Sequence, residues 1–114
     1  MPIEFVVLPQ ARQELLDLLT PRVPEPGGVA RFGGVFIDDM EDTFRRHDGR
    51  PPGTERRDGP QGSRYWWLYV EGVWVGFRIG RRRVSMFRTL RVVTVTAVRS
   101  APPPAAPTPP GSPP

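Results

Sequence analysis

A chain of 114 residues has room for one hydrophobic core without metal or disulfide staples, and the absence of cysteine excludes both disulfides and thiolate metal sites. No apolar run approaches the roughly 20 residues of a membrane helix, and the N-terminus lacks the basic-then-apolar pattern of a signal peptide, so a cytoplasmic protein without a membrane partner is expected. The formal net charge of +4 conceals a division: residues 1–63 hold 8 Arg against 11 Asp and Glu, whereas residues 64–114 hold 8 Arg against a single Glu. All 16 cations are Arg. A GC-rich genome produces such a bias by itself, yet the guanidinium is a fixed planar charge that suits phosphate and carboxylate, and a segment so basic attracts polyanions.

Ile3 to Leu8 is a short, nearly continuous apolar run, as in a strand buried on both sides or flanking a sheet. Pro9 stands at a natural first helical position, and Ala11, Leu15, Leu18 and Leu19 then form one stripe of a helix over Gln10 to Leu19. Thr20-Pro21 ends it. After the breaker-rich segment Arg22 to Gly28, the spacing of Val29, Phe32, Phe36, Met40 and Phe44 predicts a second amphipathic helix from about Val29 to His47. Gly33-Gly34 inside it costs about 1 kcal/mol per glycine relative to alanine, which predicts a late start or a bend. Asp38, Asp39, Glu41 and Asp42 are expected on its solvated face.

Asp48 to Ser63 carries every loop signal and no large apolar anchor, and reads as a long loop that brings Arg50, Arg56 and Arg57 towards a sheet. Arg64 to Arg99 holds all three Trp and both Tyr. A strand over Arg64 to Val70 is followed by a tight turn at Glu71-Gly72 and a second strand. In that second strand Val73, Val75, Phe77 and Ile79 share one face, and Trp74, Gly76 and Arg78 the other. Gly80 to Leu90 reads as a long hairpin with Arg81, Arg82 and Arg83 at its tip, and Val/Thr-rich Arg91 to Arg99 as a closing strand. The tail from Ala101 holds 8 Pro in 14 residues and is expected to be a disordered or polyproline extension of a domain spanning residues 1–100. The order is strand, helix, helix, loop and a meander of three strands. It predicts an α+β fold, β-α-α-β-β-β, with the two N-terminal helices packed on one face of a small, mostly antiparallel sheet and the other face free.

The joints of that order resemble the RelE/ParE-type toxins of bacterial type II toxin–antitoxin modules. The features that carry the resemblance are Pro9-Gln10-Ala11-Arg12 between first strand and helix, Asp48-Gly49-Arg50-Pro51-Pro52-Gly53 after the second helix, and Gly62-Ser63-Arg64-Tyr65-Trp66-Trp67-Leu68-Tyr69-Val70 before the Glu71-Gly72 turn. Val73-Trp74-Val75-Gly76-Phe77-Arg78-Ile79 and the closing strand complete them, so that the resemblance covers about residues 2–99. It implies a small α+β toxin neutralised by a cognate antitoxin, acting either on mRNA at the ribosome or, in the ParE branch, on DNA gyrase. The chain departs from the cleaving members in three places. Val73-Trp74 stands where they often have a catalytic arginine just after the hairpin glycine. The aromatics Tyr65 and Trp67 stand where some have lysines, and Val98-Arg99-Ser100 where many have a tyrosine or histidine.

Metal-free RNA cleavage needs a base for the 2′-hydroxyl, cations for the crowded phosphate and an acid for the leaving oxygen. Arginine fills the second role only. The acid–base inventory is His47, Tyr65, Tyr69 and Glu71, each with a structural alternative: His47 as a helix-end residue, the tyrosines as core or rim aromatics. Candidate catalytic positions are Arg64, Arg78, Arg99 and Tyr65; candidate RNA-binding positions are Arg56, Arg57, Trp74, Arg81, Arg82 and Arg83. No Ser/His/Asp arrangement, metal-ligand cluster, P-loop or dinucleotide fingerprint appears, and no cofactor is expected. These features admit three functions: an RNA-directed toxin, enzymatic or not; a non-enzymatic gyrase inhibitor; and a degenerate module that binds RNA or antitoxin.

Overall fold

A computed structural model describes residues 3–25, 27–58 and 64–102. Most of the proline-rich tail, and the end of the loop before Arg64, lie outside the described residues. The protein is α+β, with two helices and a five-stranded, mostly antiparallel sheet. Strand β1 (Ile3–Val7) leads into α1 (Pro9–Leu19), a short 3-10 turn (Thr20–Arg22) and α2 (Gly28–Arg46). Four more strands complete the chain: β2 (Glu55–Asp58), β3 (Arg64–Val70), β4 (Val73–Ser85) and β5 (Arg88–Arg99). Across the sheet they lie in the order β1-β5-β4-β3-β2, with β1 parallel to β5 and every other pair antiparallel.

Local chemistry explains the element ends. Leu8 has extended backbone, and Pro9, which lacks the N–H that a first helical residue cannot use, opens α1. At the far end the Thr20 hydroxyl donates to the Leu16 carbonyl as Pro21 stops the helix. Left-handed Gly27 admits α2. Its last turn carries Arg45 and Arg46, which complement the negative helix end. Arg45 also donates to the Ile3 carbonyl at 2.6 Å, tying α2 to the start of β1. Both residues of the β3–β4 turn, Glu71 (φ 48°) and Gly72 (φ 90°), have positive φ, as a two-residue hairpin with right-handed strand twist requires.

Both helices pack on one face of the sheet. Ala11 and Leu15 of α1 and Ile37, Met40 and Phe44 of α2 are buried there against Leu68, Val73, Val75, Phe77, Val93, Val95 and Val98. Phe44 is the keystone, edge-on to Phe77 at 4.7 Å between ring centroids and tilted against Phe5 at 5.4 Å.

Four expectations need correction. The stretch Asp48 to Ser63 is not all loop: Glu55–Asp58 pairs with Arg64–Trp67 as an edge strand, so the order is β-α-α-β-β-β-β. An edge strand needs hydrogen bonds on one side only, and its charged Glu-Arg-Arg-Asp sequence protects the open side from further pairing. Next, α2 is turned on its axis. Gly33, Ile37, Met40 and Phe44 face the core, Phe36 is only partly buried, and Phe32 is 53% exposed. The glycine at 33 lets α1 approach, its missing Cβ lying 2.7 Å from a Leu16 methyl. The helix also runs unbroken through Gly33-Gly34 rather than starting late. Lastly, Arg81, Arg82 and Arg83 are not at the hairpin tip but along its rising arm, because β4 continues to Ser85 and the chain reverses at Met86-Phe87.

Candidate nucleic-acid interface

On the face of the sheet away from the helices, Tyr65, Trp67 and Tyr69 alternate along β3, with Trp74, Gly76 and Arg78 beside them on β4. Trp67 is 2% exposed but belongs to this face and not to the helix-side core. Its ring lies over Gly76, where any Cβ would meet ring carbons at 2.8 Å. Small Ala97 pairs with Gly76 on the next strand, across a register shift that leaves Thr96 without a partner in the ladder. Gly76, with small Ala97 beside it on β5, thus leaves the space that the Trp67 ring fills.

Arginines interleave with these rings. The Arg57 guanidinium sits 4.8 Å from the centre of the Trp74 ring and is held by Glu55, with 2.7 Å between charged atoms. Arg57 is opposite Tyr65 and Trp74 opposite Tyr69, so the line from one to the other crosses β3 at Trp67. Tyr69 is largely exposed and tilts against Trp74 at 5.3 Å, and Arg78 lies 5.9 Å from the centre of Tyr65. The result is a row of π-faces and fixed cations on one open surface. Stacking on rings of this kind is indifferent to base identity, and fixed cations beside them suit a phosphate backbone.

A second basic site forms on the helix side, past the end of α2. A cleft of about 350 Å³ is lined by Arg50, Trp66, Ile79, Gly80, Arg81 and Arg91. Arg81 and Arg91 stand directly opposite each other on β4 and β5, an unfavourable like-charge pair that an anion would relieve. Arg91 donates to the Asp48 carbonyl, while Arg50 and Arg56 both approach the Trp66 ring, at 4.9 and 5.2 Å. Among the described residues no carboxylate lines this cleft.

The sequence candidates therefore divide. Arg57, Tyr65, Trp74 and Arg78 come together on the open face, as does Arg82, whose Nε is 3.0 Å from Glu4 Oε2 of β1. Arg56 turns to the opposite side with Trp66, and Arg81 borders the helix-side cleft. Arg83 donates to the Met86 carbonyl near the hairpin tip. Arg99 pairs across from Trp74, but its charge is taken up by Glu14 of α1, whose other carboxylate oxygen is buried without a hydrogen-bond partner. Arg64 opens β3 opposite Asp58, and its side chain lies outside the described residues. His47 closes α2 on the helix side, and Glu71, in the hairpin turn, borders a small helix-side pocket with Phe36 and Met40; neither shares the surface of Tyr65 and Arg78. Sequence reasoning missed Trp66 and Arg91 as parts of one site. Strand parity with Leu68 and Val70 places Trp66, but the Arg81–Arg91 pairing depends on the register shift in β5, which leaves no mark in the sequence.

Comparison with protein-family models, curated proteins and solved structures yields no match to this chain. Among the described residues no helix is long and apolar enough to cross a membrane.

Proposed function

We propose that the protein is the toxin component of a type II toxin–antitoxin module of RelE/ParE type, and that it acts by binding single-stranded RNA along the open face of its sheet. The observation that carries this reading is the row of Trp74, Tyr69 and Tyr65 on one surface, with Arg57 at one end and Arg78 at the other. Exposed ring faces stack bases, and guanidiniums beside them neutralise phosphates. The α+β arrangement with both helices on the far face supports the family reading; the added edge strand β2 supplies Arg57. Binding is favoured over cleavage because the acid–base groups are dispersed. His47 and Glu71 lie on the helix side, Arg99 is neutralised by Glu14, and of that inventory the two tyrosines Tyr65 and Tyr69 alone share the face of Arg78. A cognate antitoxin and mRNA on the ribosome are the partners this function requires. The ParE-like alternative, inhibition of gyrase through a protein contact, is favoured by one feature, the exposure of Phe32 and Val35 on the outer side of α2.

Titration of the purified protein with ribosomes, single-stranded RNA and gyrase tests the reading, with cleavage scored in the first two. Trp74→Ala is expected to weaken RNA binding by about 1–3 kcal/mol without changing the salt dependence. Arg57→Gln and Arg78→Gln are each expected to lower the slope of log K against log salt by about 0.7. RNA affinity no greater than that of a neutral control, together with gyrase inhibition, would overturn it.

A further inference from the structure

Beyond the point where β1 ends its pairing, at Arg91, the β4–β5 hairpin leaves the sheet as a two-stranded ribbon. From Gly80 to Arg91 it carries five arginines and no acid. Its turn presents Met86 and Phe87, 76% and 92% exposed, the most exposed large apolar side chains among the described residues. Met86 lies five strand rises beyond Arg81, about 17 Å from the Arg81–Arg91 rung. That is twice the Debye length at physiological salt, so charge at the tip is screened from the rung at the base of the ribbon and from the open face beyond it.

An exposed phenylalanine on an arginine-lined stalk fits three occupants: an anionic bilayer, an intact duplex, or a folded RNA with an unpaired base. A bilayer would engage the two tip residues and the arginines beside them, leaving the rung at Arg81–Arg91 beyond the reach of its surface charge. A polynucleotide offers phosphates along the whole length of the stalk. Driving one ring into an intact duplex costs unstacking of a base step. An unpaired base in a bulge or loop is already available for stacking on an aromatic side chain. We infer that the ribbon is a second RNA-binding element, which stacks Phe87 on an unpaired base of a structured RNA while Arg83, Arg88 and the Arg81–Arg91 rung engage the flanking phosphates. The inference rests on the RNA-directed reading above but uses a different surface.

The test uses the full chain and four probes: an RNA hairpin with a single-nucleotide bulge labelled by 2-aminopurine, the same hairpin without the bulge, an unstructured RNA strand and anionic vesicles. The expected result is about tenfold tighter binding to the bulged hairpin than to the perfect one, with a change in 2-aminopurine emission. Phe87→Ser is expected to abolish that preference and Phe87→Trp to keep it, with melting temperature and single-strand affinity unchanged in both. Arg88→Gln is expected to lower the salt slope for the hairpin and not for the unstructured strand. Equal affinity for the two hairpins, an unchanged preference in Phe87→Ser, or a Phe87-dependent binding to vesicles alone would overturn the inference. Loss of single-strand binding through Trp74→Ala while the bulge preference persists confirms the ribbon apart from the face. Absence of single-strand binding in the unaltered protein, with that preference intact, strikes only the open-face reading.

Discussion

Phe44 makes ring contacts with both Phe5 and Phe77 and is completely buried, whereas Phe36, one helical stripe away, is only partly covered. Phe44→Ala is therefore expected to cost about 3–5 kcal/mol. Phe36→Ala is expected to cost about 1–2 kcal/mol, since less of its area is withdrawn from water. Urea melts of the two variants check this, and equal losses would place the core one stripe round from where it lies. The difference was not legible in the sequence. Phe32, Phe36, Met40 and Phe44 make an unbroken apolar stripe, but Gly33, which has no hydrophobic signature, is the point of contact with α1 and turns the buried face towards Ile37. Trp67 is a comparable case. Its parity on β3 follows from alternation, yet its burial depends on a glycine, Gly76, standing beneath it on the next strand.

At the scale of elements, the glycine pair in α2 separates helix propensity from packing. A Cβ at Gly34 would meet nothing within 4 Å, so Gly34→Ala is expected to raise stability by about 1 kcal/mol. Gly33→Ala gains the same propensity but must displace the Leu16 methyl 2.7 Å away, and its net gain is expected to be smaller. Equal gains in chemical denaturation would show that α1 and α2 do not approach at this position. Both helices and the β3–β4 hairpin could be read from the sequence, because helical stripes, Pro9 and the Glu71-Gly72 turn are local signals. Strand β2 could not. Glu-Arg-Arg-Asp has no strand propensity of its own and is ordered by the ladder it makes with β3, a partner that sequence inspection treats as belonging to another element.

For the whole molecule, the division of charge seen in the sequence becomes a division in space, though not a simple one. The basic half of the chain supplies three of the five sheet strands, and its arginines emerge on both faces and along the ribbon. Composition predicts an attraction for polyanions; it has no means of showing that the candidate residues separate into two sites, because that depends on the parity of every strand at once. Strand β1 belongs to the acidic half, yet it is inserted beside β5, with Ile3 opposite Arg91. Removing residues 1–7 is expected to abolish cooperative unfolding in calorimetry, since it uncovers the Val93 and Val95 edge and takes Ile3 and Phe5 out of the core. A retained sharp transition would show that β5 and the helices suffice.

That parallel pairing has a consequence for the order of events during folding. Bringing Ile3 to Arg91 closes a loop of nearly the whole domain, whose length-dependent entropy alone is about 4 kcal/mol. Contacts so distant in sequence slow the search for the native state. The β3–β4 hairpin and both helices can begin locally, but the helices have no completed surface to cover until β5 is in place. During synthesis the first strand must therefore wait, unpaired, for the last.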